Sequence, residues 1–308
     1  MEPSLSVKIG RLKLNNPVLV CSGTFGYAEE LEGLININRL GAIVSKTITL
    51  KPCQGNPPPR TCETPAGMLN SIGLENPGLE VFIRDKLPKL SSFGIPVIVS
   101  IAAKNKLEEW TIIAKHLDSI KTVAAIELNI SCPNVGSKDR LEKLIAQNPK
   151  ETARIVRLVR RNTSKPLITK LSPNVTDITE IALAAQMAGS DALSLINTVM
   201  GMSIDIKEKR PKIANIIGGL SGPAIRPIAL RMVWQVYKSC KIPIIGMGGI
   251  MDWQNALEFF LAGATAVAVG TANFINPNAA EQIIMGIKDY LKKHNYATIR
   301  ALIGGLKV

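Results

Sequence analysis

Ile242-Pro243-Ile244-Ile245-Gly246-Met247-Gly248-Gly249-Ile250 is an apolar, β-branched run that ends in two glycines. A helical pattern follows over 252–262, Ala262-Gly263-Ala264 supplies a glycine stop, and a second apolar run at 265–269 ends in Gly270-Thr271. Strand, helix and strand in this succession make a parallel unit. Glycines at both strand ends let backbone N–H groups approach phosphate oxygens, and the helix start after each adds its dipole. Tight turns without a ligand are the other use of such glycines, but two sites together are more specific than one.

The same alternation fills the chain. Apolar runs at 16–21, 41–46, 96–101, 123–130, 166–172, 191–196, 242–247 and 265–269 are candidate strands. Helical patterns lie near 28–38, 76–90, 107–121, 149–162, 176–188, 223–239, 252–262 and 278–294. Eight repeats of strand then helix predict an α/β fold of the (β/α)8 TIM-barrel type, in a single domain spanning 1–308. A doubly wound open sheet is the alternative, because strand count does not prove closure. Asn148-Pro149 offers a helix N-cap with proline in the first turn, and Thr176 to Glu180 starts another helix with polar residues and an early acid. Excursions near 47–75, 133–147 and 197–222 interrupt the regular spacing; segments this long in a compact fold tend to be functional.

Composition narrows the class. Of 308 residues 46% are apolar and only 4% aromatic, so the core is built from Ile, Leu, Val and Ala, as in parallel sheets. The start, Met1 to Lys8, has no apolar signal core, and no uninterrupted apolar run reaches the ~18 residues of a membrane span, so a soluble cytoplasmic protein with no membrane contact is expected. Five cysteines without a CxxC pair argue against disulfides and a zinc site, and the two histidines, His116 and His294, fall on helical surfaces, which leaves no histidine triad and no metal site. The net charge of +13 is spread along the chain with few aromatics, so nucleic acid is not an expected partner; a solvated lysine-rich surface, an anionic ligand or an acidic protein partner are the readings left.

The strand ends collect the chemistry. Strand 1 ends in Cys21-Ser22-Gly23-Thr24 and strand 2 in Ser45-Lys46-Thr47, whose excursion carries Asn70-Ser71-Ile72-Gly73-Leu74. Strand 3 ends near Ser100, strand 5 at Lys170, strand 6 in Ile196-Asn197-Thr198, and strands 7 and 8 in the glycines above. Strand 4 runs into Asn129-Ile130-Ser131-Cys132-Pro133-Asn134, a cysteine among amides; a buried structural cysteine is the plain alternative. In a barrel all of these converge on one pocket. A lysine inside a barrel is costly unless it meets an anion or polar ligand, so Lys46 and Lys170, with no acid nearby in sequence, suit an electron-rich ring better than a Schiff base; snorkelling at the rim is the other option.

Lys46-Thr47, Asn70 to Leu74, Asn129 to Asn134, Ile196 to Thr198, Gly219 to Gly222, Gly248-Gly249 and Val269-Gly270-Thr271 together resemble the class 1 dihydroorotate dehydrogenases, over nearly the whole chain and in the same order. Cysteine at 132 goes with class 1. Gly73 to Gly78 with Gly222 to Pro227 resembles the NAD-linked type B catalytic subunits rather than the fumarate-linked type A. The resemblance implies FMN, its phosphate on Gly222, Gly248, Gly249, Gly270 and Thr271, with Ser22, Lys46, Thr47, Ser100, Asn129, Lys170 and Ile196 along the ribityl chain and ring. The family often carries asparagine where this chain has Ser100. For the substrate it implies Lys46, Asn70, Ser71, Ile72, Gly73, Leu74, Asn129, Asn134, Asn197 and Thr198. Cys132 would be the base at C5 of (S)-dihydroorotate while the flavin takes the hydride from C6, giving orotate in de novo UMP synthesis, and the loop from Val135 to about Gln147 would be a lid. Type B enzymes pass the electrons to NAD through a second subunit holding FAD and a [2Fe-2S] cluster, a homodimeric core within a heterotetramer. This chain shows no dinucleotide-binding glycine fingerprint and no cluster-type cysteine spacing of its own. A fumarate-linked homodimer, and a non-redox phosphate-binding barrel of the aldolase or isomerase kind, are the competing expectations.

Overall fold

A computed structural model describes residues 2–104, 106–130 and 145–307. Its centre is a closed barrel of eight parallel strands: β1 (Val18–Val20), β2 (Ala42–Val44), β3 (Val97–Ile101), β4 (Val123–Asn129), β5 (Leu167–Lys170), β6 (Ala192–Leu195), β7 (Ile244–Met247) and β8 (Ala266–Val269). Neighbours in sequence are neighbours in space, and Val267 pairs with Val18 to join β8 back to β1. A sheet with no edge excludes the doubly wound alternative. Each strand faces helices on one side and the barrel interior on the other, so β5 through β8 are buried at every residue. That two-sided burial explains why the strands read as continuous apolar runs.

Helices Leu107–Asp118, Pro149–Arg160, Ile178–Met187, Arg226–Ser239, Trp253–Ala262 and Ala279–Lys293 ring the barrel, and an α–π–α segment from Leu79 to Ser92 follows β2. The helix expected at 28–38 is absent. Two 3-10 turns, Glu29–Leu31 and Ile37–Arg39, stand there, because Gly26, Ala28 and Gly33 take positive φ and break the helical path. Asn148 caps its helix as expected, accepting from the N–H groups of Lys150 and Glu151. The helix expected from Thr176 to Glu180 onward is capped by Asp177, which accepts from Thr179 N–H, with Glu180 in its first turn. Gly263 ends its helix at φ 114°. An N-terminal hairpin, Val7–Ile9 with Leu12–Leu14, covers the end of the barrel where the strands begin; Arg11 there donates to the Ser164 carbonyl. Among the described residues no helix is long and apolar enough to cross a membrane.

The excursions after β2 and β6 are not loops at their cores. Thr61–Thr64 and Gly67–Asn70 form a hairpin, Val199–Met202 and Ile217–Ser221 form another antiparallel pair, and Gly67–Asn70 pairs with Ile217–Ser221. One four-stranded sheet results, standing over the ends of the barrel strands. Of the third excursion only Ile145–Gln147, a 3-10 turn, lies within the described residues.

Candidate active site

A cavity of about 320 Å³ opens at the C-terminal mouth of the barrel, between the strand ends and the four-stranded sheet. The strand ends supply its wall. Ser22, Lys46, Thr47, Asn129, Lys170, Ile196, Asn197 and Thr198 all line it, as do Gly222, Gly248, Gly249, Gly270 and Thr271. From the sheet and its connections come Asn70, Ile72, Gly73 and Leu74. Two expected residues do not reach it. Ser100 is fully buried behind Thr47, and Ser71 is fully buried with its N–H on the Arg60 carbonyl. Cys132, Asn134 and the segment expected to form a lid up to residue 144 lie outside the described residues.

One corner is a backbone cradle. Gly222, Gly248 and Gly249 have φ of 95°, 123° and 73°, a region that favours glycine. A Cβ on Gly249 would lie 2.8 Å from the Gly222 carbonyl oxygen, so these turns are packed directly on one another. Thr271 donates to Ser221 at 2.9 Å, placing two hydroxyls at the rim. The 3-10 turn Pro223–Ile225 leads from Gly222 into helix Arg226–Ser239. Helix Trp253–Ala262, by contrast, is capped by its own Asp252, which accepts from Asn255 N–H at 2.8 Å. The cradle therefore rests on turn N–H groups and the start of helix 226–239 more than on the helix that follows the paired glycines.

The opposite wall carries a relay of hydrogen bonds. Asn129 donates to Thr47 at 2.9 Å, and the Thr47 and Ser100 hydroxyls lie 3.0 Å apart. Ser100 thus acts through Thr47, and its short side chain suits that position behind the lining. Lys170, buried, donates to Ser22 at 3.4 Å; neither it nor Lys46 makes an ion pair among the described residues. Lys170 is buried and Lys46 half-buried, and the lining carboxylate Glu75 is already bridged by Arg60, so the two ammonium groups call for an anionic or electron-rich occupant. Cys21 lines the floor, its thiol directed to the Ala268 carbonyl at 3.4 Å. Burial pushes that thiol up to about 12; the nearby Lys170 acts against the shift and Glu127 with it. Cys21 stays protonated at neutral pH and is no base.

The sheet is fastened by side chains that sequence reasoning passed over. Asn174 donates to the Thr198 carbonyl at 3.1 Å and accepts from Met200 N–H at 2.9 Å, tying the loop after β5 to the first sheet strand. Asn76 donates to the Leu74 carbonyl at 2.7 Å and accepts from Gly78 N–H at 2.9 Å, holding Leu74 at φ 60° against the cavity. The cavity also takes in Thr24, Thr61, Met68, Ser221, Met247 and Phe274. Thr24 and Ser221 sit beside residues already singled out; Thr61 and Met68 arrive only through the pairing of the two excursions. The donor set fits a ligand with a phosphate at the glycine end and a polar, electron-rich ring at the lysine end, and Thr24 adds a buried hydroxyl with no partner.

Comparison with known proteins agrees with this geometry. The family model described as dihydroorotate dehydrogenase matches residues 4–291. The chain is 54% identical over 307 residues to the protein of Geotalea daltonii named dihydroorotate dehydrogenase B (NAD(+)), catalytic subunit, covering 100% of this chain and 99% of that relative. The proteins of the same name from Desulforudis audaxviator and Geobacter sulfurreducens are 53% and 52% identical, each over at least 98% of both chains.

Proposed function

The chain belongs to the dihydroorotate dehydrogenase family, and from that premise we propose that it oxidises (S)-dihydroorotate to orotate in pyrimidine synthesis, as the catalytic subunit of an NAD-linked type B enzyme. The whole chain, 1–308, acts as one FMN-binding barrel domain in the cytoplasm. The observation that carries the reading is the juxtaposition, in one cavity, of the Gly222, Gly248, Gly249 and Gly270 cradle with two ammonium groups and an array of neutral amides.

FMN, when bound, supplies a hydride acceptor. The cradle and Thr271 hold its phosphate by backbone N–H and hydroxyl donors. Lys170, steadied by Ser22, and Asn129, steadied by the Thr47–Ser100 pair, bind the polar edge of the ring system. Asn70, Asn134 and Asn197, with Thr198, bind the substrate carboxylate and ring amides, orienting the substrate without adding charge beside the reacting carbon. Lys46 offsets the negative charge that develops as C5 loses its proton. Cys132 takes that proton: a thiol is better matched to base work near neutral pH than a serine hydroxyl. The roof strands exclude water above the reacting carbons.

Electrons leave to NAD through a partner subunit carrying FAD and a [2Fe-2S] cluster, in a heterotetramer built on a homodimer of this chain. The purified chain is expected to be yellow, with one FMN per chain. Cys132→Ala is expected to retain FMN while slowing flavin reduction by dihydroorotate by at least about 10²-fold, the usual scale of general base catalysis. An unchanged reductive half-reaction would remove Cys132 from this role. Turnover with fumarate by the isolated chain, and none with NAD and the partner, would exclude the type B assignment.

A further inference from the structure

Among the described residues only two charged side chains are buried, Lys170 at 6% exposure and Glu127 at 1%. Lys170 has a task in the chemistry above; Glu127 has none. It sits in the middle of β4, where an apolar residue would cost nothing, and points into the barrel on the same face as Asn129, two residues on. One carboxylate oxygen accepts from Ser194 at 2.9 Å, and the other has no partner. Ser194 is in turn the cross-strand neighbour of Lys170, and Lys170 the neighbour of Asn129. The carboxylate therefore lies one layer beneath the cavity floor, beside the base of the buried lysine, without making an ion pair to it.

We propose that Glu127 is an electrostatic positioning residue for the flavin: a fixed negative charge under the cavity that offsets Lys170 and holds the flavin reduction potential down. The inference rests on the flavin reading given above. A buried carboxylate with a free oxygen is expensive, and a neutral isostere would be cheaper for folding, so its position is explained by its field rather than by stability. Reduced flavin carries more negative charge than oxidised flavin, and two lysines at one cavity would stabilise the reduced form and trap the electrons. A carboxylate beneath them opposes this and leaves the electrons free to move on to an acceptor. Cys21 lies at the cavity floor with its pKa raised first by burial, Lys170 acting against that shift and Glu127 with it, in keeping with both groups lying near the floor.

The test is the two-electron midpoint potential of bound FMN in the wild type and in Glu127→Gln, Glu127→Met and Ser194→Ala. A wild-type chain that binds no flavin would overturn the flavin reading itself, and the inference with it. With flavin bound, both neutral variants are expected to raise the potential by at least about 30 mV, a tenfold change in a two-electron equilibrium. Ser194→Ala retains the carboxyl group while removing its one hydrogen bond, and is expected to shift the potential by less than either neutral variant. Unchanged potentials in the neutral variants would overturn the inference, as would a Ser194→Ala shift as large as theirs, which would make packing the cause. Loss of flavin from both neutral variants but not from Ser194→Ala would also overturn it, making Glu127 a structural group.

Discussion

The wall and the roof of the cavity are made in different ways. Wall residues stand at the ends of parallel strands, and each is placed by a run of sequence that is apolar on both sides, as Lys170 is by Leu167–Lys170. Roof residues stand on strands drawn from two excursions, and each is placed by a partner far away in the chain: Asn70 donates to the Gly219 carbonyl across 149 residues. The wall carries the groups proposed to hold the cofactor. The roof is held by pairings between segments far apart in the chain and carries the residues proposed to read the substrate. Damage to the wall should be read out in flavin binding, and damage to the roof in substrate binding.

The largest effect is expected at the cradle. A side chain on Gly249 meets the Gly222 carbonyl at 2.8 Å and the Arg226 Cβ at 2.7 Å, on a backbone at φ 73°. Gly249→Val should cost about 3 kcal/mol at the cradle, or roughly a hundredfold in FMN affinity. Titration of apoprotein with FMN measures it, and an affinity within threefold of the wild type would show that the cradle does not bind the phosphate. Next comes the matching lesion in the roof. A Cβ on Gly218 would lie 2.7 Å from the Asn70 carbonyl oxygen and 2.6 Å from Ile213. Gly218→Val should displace Asn70 at a cost of about 2 kcal/mol, raising KM for dihydroorotate more than about tenfold while FMN affinity stays put. Equal losses of flavin in the two variants would erase the distinction between wall and roof.

A third effect belongs to the wall alone. Burial raises the Cys21 thiol from its ordinary 9.0 to about 12, so the folded chain keeps a proton that the unfolded chain releases above pH 9. The contribution to stability is complete below that pH and is lost as pH rises. Between pH 9 and 12 the apoprotein should lose up to about 1.4 kcal/mol per pH unit through this one group. Cys21→Ala should flatten that part of the profile in urea denaturation at stepped pH. A profile that falls equally steeply in the variant would assign the loss to other groups.

The same contrast decides what could be read from the sequence. All eight barrel strands were legible within a few residues, since burial on two faces forces continuous apolar runs. The glycines at 248, 249 and 270 stand out in the sequence because glycines at two successive strand ends suit either a close backbone approach to a ligand or tight turns. Pairing of 67–70 with 217–221 was not, because neither partner announces the other and both excursions read as Pro- and Gly-containing connections. The stretch 28–38 misled because its apolar spacing imitates a helix while Gly26, Ala28 and Gly33 turn the backbone out of it. Ser71 and Ser100 were near the cavity in sequence terms but turn behind its lining, a distinction of side-chain direction that sequence alone does not carry. Glu127 was overlooked inside an apolar run; its signal was a lone carboxylate at an inward position two residues before Asn129.

The smallest effect tests how the roof edge is fastened. Arg60 bridges Glu75 at 2.5 Å and also holds the Asn56 and Gln54 carbonyls, so one side chain ties the stretch 54–56 to Glu75, which lines the cavity next to Ile72, Gly73 and Leu74. The pair is partly exposed, at 26% and 48%, and such bridges contribute under about 1 kcal/mol to stability. Glu75→Gln should therefore leave the unfolding midpoint nearly unchanged. If the roof is positioned by such side chains, KM for dihydroorotate should still rise about two- to fivefold, since ~1 kcal/mol of misplacement acts on the substrate residues directly. In the wall the strand ladder sets the backbone, and side-chain bonds such as Asn129 to Thr47 stay within the wall itself. A Glu75→Gln variant with wild-type KM would mean that Asn76 and the Gly67–Asn70 pairing position the segment unaided, and that the roof is nearly as stiff as the wall.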